Sequence, residues 1–134
     1  MAKYCEEDTV AFAANGYFGC ECGSVKIYNM TIEKCDGVGL ACAPLGTVNV
    51  NKTAFGYGAT ISNEQKDNFK LQFRVQYTCS CCKRGFPACL REYFVKLPDE
   101  NIYCKSNWDS VKQFGLIKLP IGTSRGLGIV GPFG

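Results

Sequence analysis

The chain has 134 residues, of which 46% are hydrophobic and 20% are charged, and both values are typical of one folded globular domain. Its fifteen basic and twelve acidic residues give a net charge of +3 and are spread along the chain, so the sequence predicts neither a nucleic-acid surface nor a membrane-surface patch. No stretch approaches the roughly 18 consecutive apolar residues of a membrane-spanning helix, and the first residues lack the pattern of a secretory signal.

Glycine, proline and aromatic residues set the expected fold class. Fifteen glycines and five prolines, together with nine phenylalanines and seven tyrosines, favour short strands and tight turns over long helices. We therefore expect one all-β domain over residues 1–134, built as a disulfide-rich antiparallel β-sandwich or small barrel.

The first half of the chain contains three predicted strands and one helix candidate. One strand is expected over residues 24–32, and the segment 46–61 is expected to form two strands that break near Gly56 and Gly58. The helix candidate lies within residues 61–71, where the capping-box spacing of a serine and a glutamine leaves room for a single turn.

Residues 69–79 carry the clearest periodic pattern of the chain. Apolar side chains occupy every second position from Phe69 to Cys79, and polar side chains occupy the positions between them. Unbroken period-two alternation predicts an antiparallel strand with one buried and one solvated face. The polar face is a candidate recognition surface, or simply a solvated outer face, and it carries Lys70, Gln72, Arg74, Gln76 and Thr78.

Two more strands are expected over residues 90–97 and 114–121, and an apolar, glycine-rich tail follows over residues 122–134. Because free tails are usually polar, this tail is expected to lie against another surface. It would either form a last edge strand of its own domain or insert into a neighbouring subunit. Its candidate assembly residues are Leu127, Ile129, Val130 and Phe133.

Ten cysteines fall into two groups of five, within residues 5–42 and 79–104. An odd number in each group requires at least one disulfide between the groups if all ten are paired. The first group contains Cys5, Cys20, Cys22, Cys35 and Cys42, and the second contains Cys79, Cys81, Cys82, Cys89 and Cys104.

The cysteines are predicted to form disulfides and not a metal site. The chain contains no histidine and no C-x2-C pair, which are the usual elements of structural zinc sites, and we expect neither a metal nor a cofactor. Asn29 and Asn51 each begin an N-x-[ST] triplet, the acceptor sequence for N-glycosylation. Many cysteines and two such triplets together predict a secreted or extracellular glycoprotein.

Catalysis is not expected. Without histidine the chain cannot build a Ser-His-Asp or Cys-His arrangement, and its adjacent carboxylates lie in polar segments that are expected to keep ordinary pKa values. Glycines 126, 128 and 131 match a dinucleotide-binding spacing, but no helix follows them to hold a pyrophosphate.

The function expected is therefore non-catalytic recognition or adhesion, with a protein or a glycan as partner. Loop-borne aromatic residues supply large, rigid contact surfaces, and Phe86 and Trp108 are expected either to cover the core beside the disulfides or to contact a partner. An alternative is a structural subunit of an extracellular or viral-type assembly, such as a filament or shell, and a further alternative is a secreted toxin-like effector. The predicted binding residues are Phe86, Trp108, Lys70, Arg74 and Tyr57.

Overall fold

The computed structural model describes residues 2–21, 23–39, 41–80 and 90–120. This part of the chain forms eight strands and one 3₁₀ helix, Asp99–Asn101. The strands are β1 (Thr9–Cys20), β2 (Val25–Asp36), β3 (Cys42–Thr47), β4 (Val50–Asn51), β5 (Ala54–Ser62), β6 (Phe69–Cys79), β7 (Arg91–Lys96) and β8 (Lys112–Leu119).

The strands form two four-stranded sheets that pack face to face, as expected for a β-sandwich. The β6 sheet has the order β3-β2-β6-β7, and the β1 sheet has the order β4-β5-β1-β8. All strand pairs are antiparallel except β1 and β8, which run parallel. The prediction of an all-β, disulfide-rich sandwich is therefore confirmed, with one parallel pair added.

Strand β6 lies in the interior of its sheet, between β2 and β7, and its alternation is confirmed. Its odd-numbered side chains are buried, whereas its even-numbered side chains are half-buried on the outer face. The buried side of β6 meets the β1 sheet at an aromatic cluster, in which the ring centroids of Phe55 and Phe73 lie 5.5 Å apart and those of Phe18 and Phe55 lie 5.4 Å apart. These rings bury large apolar surfaces and stabilise the sandwich.

Three disulfides staple the described part of the chain. Cys5–Cys104 and Cys20–Cys79 both join the N-terminal cysteine group to the C-terminal one, while Cys35–Cys42 links the neighbouring strands β2 and β3. All six cysteines of the described residues are thus paired. The remaining four, Cys22, Cys81, Cys82 and Cys89, lie outside the described residues.

The predicted strand break near Gly56 and Gly58 is wrong. The break falls at Lys52 and Thr53, where Val50 pairs with Phe55 in a tight hairpin and Lys52 adopts a φ of 62°. The two glycines lie inside β5 because they face outward, where the strand needs no side chain for the core. The position of a glycine on a strand face, and not its presence alone, decides whether it interrupts the strand.

The predicted helical turn within residues 61–71 does not form. The strand β5 continues to Ser62, and residues 63–68 have no regular structure. Asn63 is buried and its Nδ2 donates hydrogen bonds to the carbonyl oxygens of Cys5 and Glu7, at 2.9 and 2.8 Å. These bonds tie the N-terminal segment to the loop, and tertiary contacts therefore override the local capping signal.

The local environment shifts the pKa of two side chains, Tyr77 and Asp8. Tyr77 lies in the core with its hydroxyl donating a hydrogen bond to the carbonyl oxygen of Pro120 at 2.6 Å, and burial raises the pKa of Tyr77 to about 12. At the surface, the hydrogen bond from Lys66 and its positive charge hold the pKa of Asp8 below its ordinary value.

None of the described residues forms a helix that is long and apolar enough to cross a lipid bilayer.

Candidate recognition surface

The segment from Cys104 to Val111 lies over the outer face of the β1 sheet. Ala11 and Ala13 point away from the central core, because their neighbours Phe12 and Ala14 point into it, and yet both alanines are buried. The segment that joins the 3₁₀ helix to β8 covers them. We call it the Trp108 loop, and it spans residues 104–111.

Four contacts fix the Trp108 loop on the sheet. Cys104 is bonded to Cys5, and the backbone of Tyr103 pairs with Ala11 through two hydrogen bonds of 2.9 Å. The hydroxyl of Thr60 donates to the carbonyl oxygen of Ser106 at 2.8 Å, and the hydroxyls of Tyr103 and Ser110 lie 2.8 Å apart. The loop is therefore held at its start, its middle and its end.

Trp108 lies across Gly58 of β5. Three carbons of its six-membered ring, Cη2, Cζ2 and Cζ3, lie 2.7, 3.0 and 3.2 Å from the point that a Cβ atom would occupy at Gly58. Any side chain at Gly58 would push the ring away, so this glycine permits the close approach. Trp108 nevertheless remains 39% exposed, so part of the residue is accessible to solvent.

The strand register places further exposed groups beside Trp108. Ala13 pairs with Gly58, Asn15 with Gly56, and Tyr17 with both Ala54 and Leu116. Tyr17 and Leu116 are each 50% exposed, and Asn15 is exposed between the two aromatic side chains. This row forms a surface that we call the Trp108 face, composed of Trp108, Gly58, Gly56, Asn15, Tyr17 and Leu116.

The polar face of β6, which the sequence offers as a second recognition surface, pairs its own polar groups. Arg74 forms an ion pair with Glu92 of β7, and Gln72 donates to a carboxylate oxygen of Glu33 at 2.9 Å. These residues line a shallow concavity of about 1050 Å³ that reaches the edge of β8. Partners within the sheet already satisfy these groups, so they offer less to an external ligand than unpaired groups would.

The remaining predicted binding residues lie apart from one another. Lys70 is half-buried on β6, and its Nζ lies 3.8 Å from the position of a Cβ at Gly39. Tyr57 points inward and contacts the rings of Phe12 and Phe73, with centroids 6.1 and 6.4 Å apart, so its ring serves the core. Phe86 and the tail residues Leu127, Ile129, Val130 and Phe133 lie outside the described residues.

Both glycosylation triplets lie on accessible strands. Asn29 is exposed on β2, and its Nδ2 lies 3.4 Å from Oε1 of Gln76. Asn51 is exposed at the hairpin between β4 and β5. Asn29 belongs to the β6 sheet, whereas Asn51 pairs with Ala54, which also pairs with Tyr17, so a glycan at Asn51 would lie beside the Tyr17 end of the Trp108 face.

Two clusters of the described residues have metal-ligand types, but their sulfurs are already bonded. Cys5 and Cys104 lie near Glu7, and Cys35 and Cys42 lie near Glu33. Each cysteine pair forms a disulfide, which removes the thiolates that a metal ion would need. We therefore assign neither cluster a metal.

Sequence reasoning found Trp108 from its polar, cysteine-tethered loop but missed the partners of its ring. Tyr17, Asn15 and Leu116 come together with Gly58 through the register of strands that are far apart in sequence. The one signal in the sequence is the alternation in residues 54–60. Phe55 and Tyr57 alternate there with Gly56 and Gly58, and this pattern predicts an outer face with few large side chains.

Comparison of the chain with protein-family models, curated proteins and solved structures finds no match.

Proposed function

We propose that this protein is a non-catalytic, extracellular recognition module whose Trp108 face binds its partner. The observation that carries the proposal is the indole of Trp108, which approaches Gly58 closely while the residue remains 39% exposed. Tryptophan and tyrosine dominate binding energy in known interfaces because they bury large areas at a small cost in side-chain entropy.

The way in which the loop is held adds to this support. A binding residue that is already fixed loses little conformational freedom when its ligand arrives, and the affinity gains accordingly. The disulfide at Cys104 and the hydrogen bond at Ser106 fix the backbone before Trp108, and the contact between the hydroxyls of Ser110 and Tyr103 fixes it after Trp108.

An extracellular location agrees with the chemistry of the chain. Disulfides persist in oxidising compartments, and three are present in the described residues. Secretion and glycosylation at Asn29 and Asn51 belong to the proposal. The lack of histidine throughout the chain supports binding over catalysis.

A screen against identified ligands tests the proposal. The wild-type protein, Trp108→Ala and Tyr28→Ala are each applied to arrayed glycans and to an array of purified extracellular proteins. Tyr28 is the matched control, because it is 54% exposed but belongs to the β6 sheet. We expect a ligand that binds the wild type and Tyr28→Ala alike and binds Trp108→Ala at least about tenfold more weakly. Ligands that bind all three proteins equally would contradict a role for this face, provided that circular dichroism shows each variant to be folded.

One observation favours a second candidate function, that of an assembly subunit. In the described part of the chain β7 and β8 each pair on one side only, and residues of both strands border the concavity beside Arg74. Unpaired strand edges accept an added strand from another chain, and the apolar segment 121–134 follows β8 directly. In sedimentation equilibrium an assembly subunit would form oligomers that disappear when the chain is truncated after Pro120. A monomer in both forms would remove this candidate.

A further inference from the structure

The Trp108 face has few outward side chains where it crosses β5. Gly56 and Gly58 supply two of its outward positions on β5, and both are exposed. Leu116 lies low over Gly19, since its Cδ1 is 3.1 Å from the position of a Cβ at that glycine. Compact small molecules prefer concave sites, so a ligand of this open row would extend over several of its exposed groups.

The exposed chemistry of the face is aromatic at both ends and polar in the middle. Aromatic rings carry a negative face that attracts the slightly positive hydrogen atoms of C–H groups. One face of a pyranose sugar presents such C–H groups, and its rim carries hydroxyls that both donate and accept hydrogen bonds. Trp108 and Tyr17 match the C–H faces, and the exposed amide of Asn15, which has donors and an acceptor, matches the hydroxyls.

Charge on the face points to a neutral ligand. Within the Trp108 loop, Lys105 and Asp109 form an ion pair with 2.7 Å between Nζ and Oδ1, so their charges offset each other. The six residues that define the face carry no ionisable acid or base apart from the phenol of Tyr17. Sulfated or carboxylated glycans are recognised through clusters of unpaired basic groups, and the single exposed Lys118, which pairs with Gly19 beside the face, does not form such a cluster.

The distance between the rings sets the size of the ligand. Ala13, beside Gly58 and Trp108, precedes Tyr17 by four residues on β1, which corresponds to about 13 Å along an extended strand. One monosaccharide cannot contact both rings, whereas a straight chain of several sugars can. We infer that the Trp108 face binds a neutral oligosaccharide whose sugars form a flat, extended ribbon, as β-1,4-linked hexopyranoses do. This inference rests on the proposed function, because it names the ligand of the same surface.

Tryptophan fluorescence provides a direct test, since Trp108 is the only tryptophan of the chain. The full chain is titrated with cellohexaose and with chitohexaose, and the emission of Trp108 is followed together with the heat of binding by calorimetry. Maltohexaose, which has the same length but a curved α-1,4-linked chain, is the ligand control. We expect a saturable change in emission with at least one of the two β-linked hexaoses, binding at least about tenfold weaker with the corresponding monosaccharide, and no saturation with maltohexaose.

Variants separate the parts of the face. Tyr17→Ala is expected to weaken hexaose binding by about fivefold or more while leaving the binding of a disaccharide nearly unchanged, and Tyr28→Ala is expected to match the wild type. Gly58→Ala keeps Trp108 but displaces its ring from the sheet, and it should weaken binding without removing the fluorophore. If Trp108→Ala does not fold, Gly58→Ala and Tyr17→Ala still decide the matter.

The possible outcomes test the identity of the ligand separately from the recognition function. Failure of both hexaoses to bind, or equal binding of maltohexaose, overturns the inference. If the hexaoses fail but a protein from the array depends on Trp108, the recognition function stands and only the glycan is wrong. If neither glycan nor protein depends on Trp108, both proposals fall.

Discussion

Replacing Cys5 and Cys104 together with alanine is expected to lower the free energy of unfolding by about 4 kcal/mol, one of the two largest losses that we predict. The disulfide joins residues 99 positions apart, but Cys20–Cys79 closes the middle of that span, and in the chain-entropy model the remaining loop of about 40 residues restricts the unfolded chain by that amount. Urea denaturation followed by far-ultraviolet circular dichroism measures the change.

The same experiment on Cys35 and Cys42 is the matched control. Their disulfide spans only 7 positions between neighbouring strands, and the same model gives about 2.5 kcal/mol for its removal. Equal losses in the two double variants would contradict the entropic account and would show that local contacts of the sulfurs decide the effect.

Loss of the Cys5–Cys104 bond also has a local consequence for the recognition surface. Cys5 is held by Asn63 through its carbonyl oxygen, and Cys104 begins the loop that carries Trp108. Without the bond, the loop keeps the Tyr103 pairing and the Thr60 hydrogen bond but loses its covalent anchor. The emission of Trp108 should therefore shift toward that of an exposed indole at denaturant concentrations where the sandwich is still folded.

The strands that could be predicted are those whose two faces differ in burial. In β6 the inner face is fully buried and the outer face is half-buried, so apolar and polar residues alternate in the sequence. In β1 the outward Ala11 and Ala13 are covered by the Trp108 loop, so the run from Val10 to Ala14 is buried on both faces and shows no alternation. Contacts with a distant loop thus hid a strand that local patterning would otherwise have shown.

Strand β3 was missed for the opposite reason. It lies at the edge of the β6 sheet, and five of its six residues are exposed while Gly46 is half-buried. An edge strand that buries so little surface carries no hydrophobic pattern, and its backbone pairing with β2 and the disulfide at Cys35 hold it in place. No property of its own residues identifies it.

The candidate site was predictable in its anchor and not in its surroundings. A tryptophan in a polar loop near a cysteine indicates either a cover for buried residues or a binding residue, and Trp108 contacts Gly58 while it remains 39% exposed. Composition alone does not place Tyr57. Its neighbouring glycines suggested a loop, whereas its position in the alternation of β5 turns its ring toward Phe73 in the core. The face of a sheet that a residue occupies can be assigned only when the strand and its register are known.

The second large effect concerns Phe73, at the centre of β6. Replacing it with alanine is expected to lower the free energy of unfolding by about 3–5 kcal/mol, because its ring is fully buried against Phe55 and Tyr57 and its removal leaves a cavity between the sheets. Gln76→Ala, on the outer face of the same strand, should cost less than about 1 kcal/mol. Thermal and urea unfolding of both variants measure the contrast, and Phe73→Leu, expected to cost about 1–2 kcal/mol, keeps the comparison open if the alanine variant does not fold. Similar losses for Phe73→Leu and Gln76→Ala would show that the aromatic cluster does not hold the two sheets together.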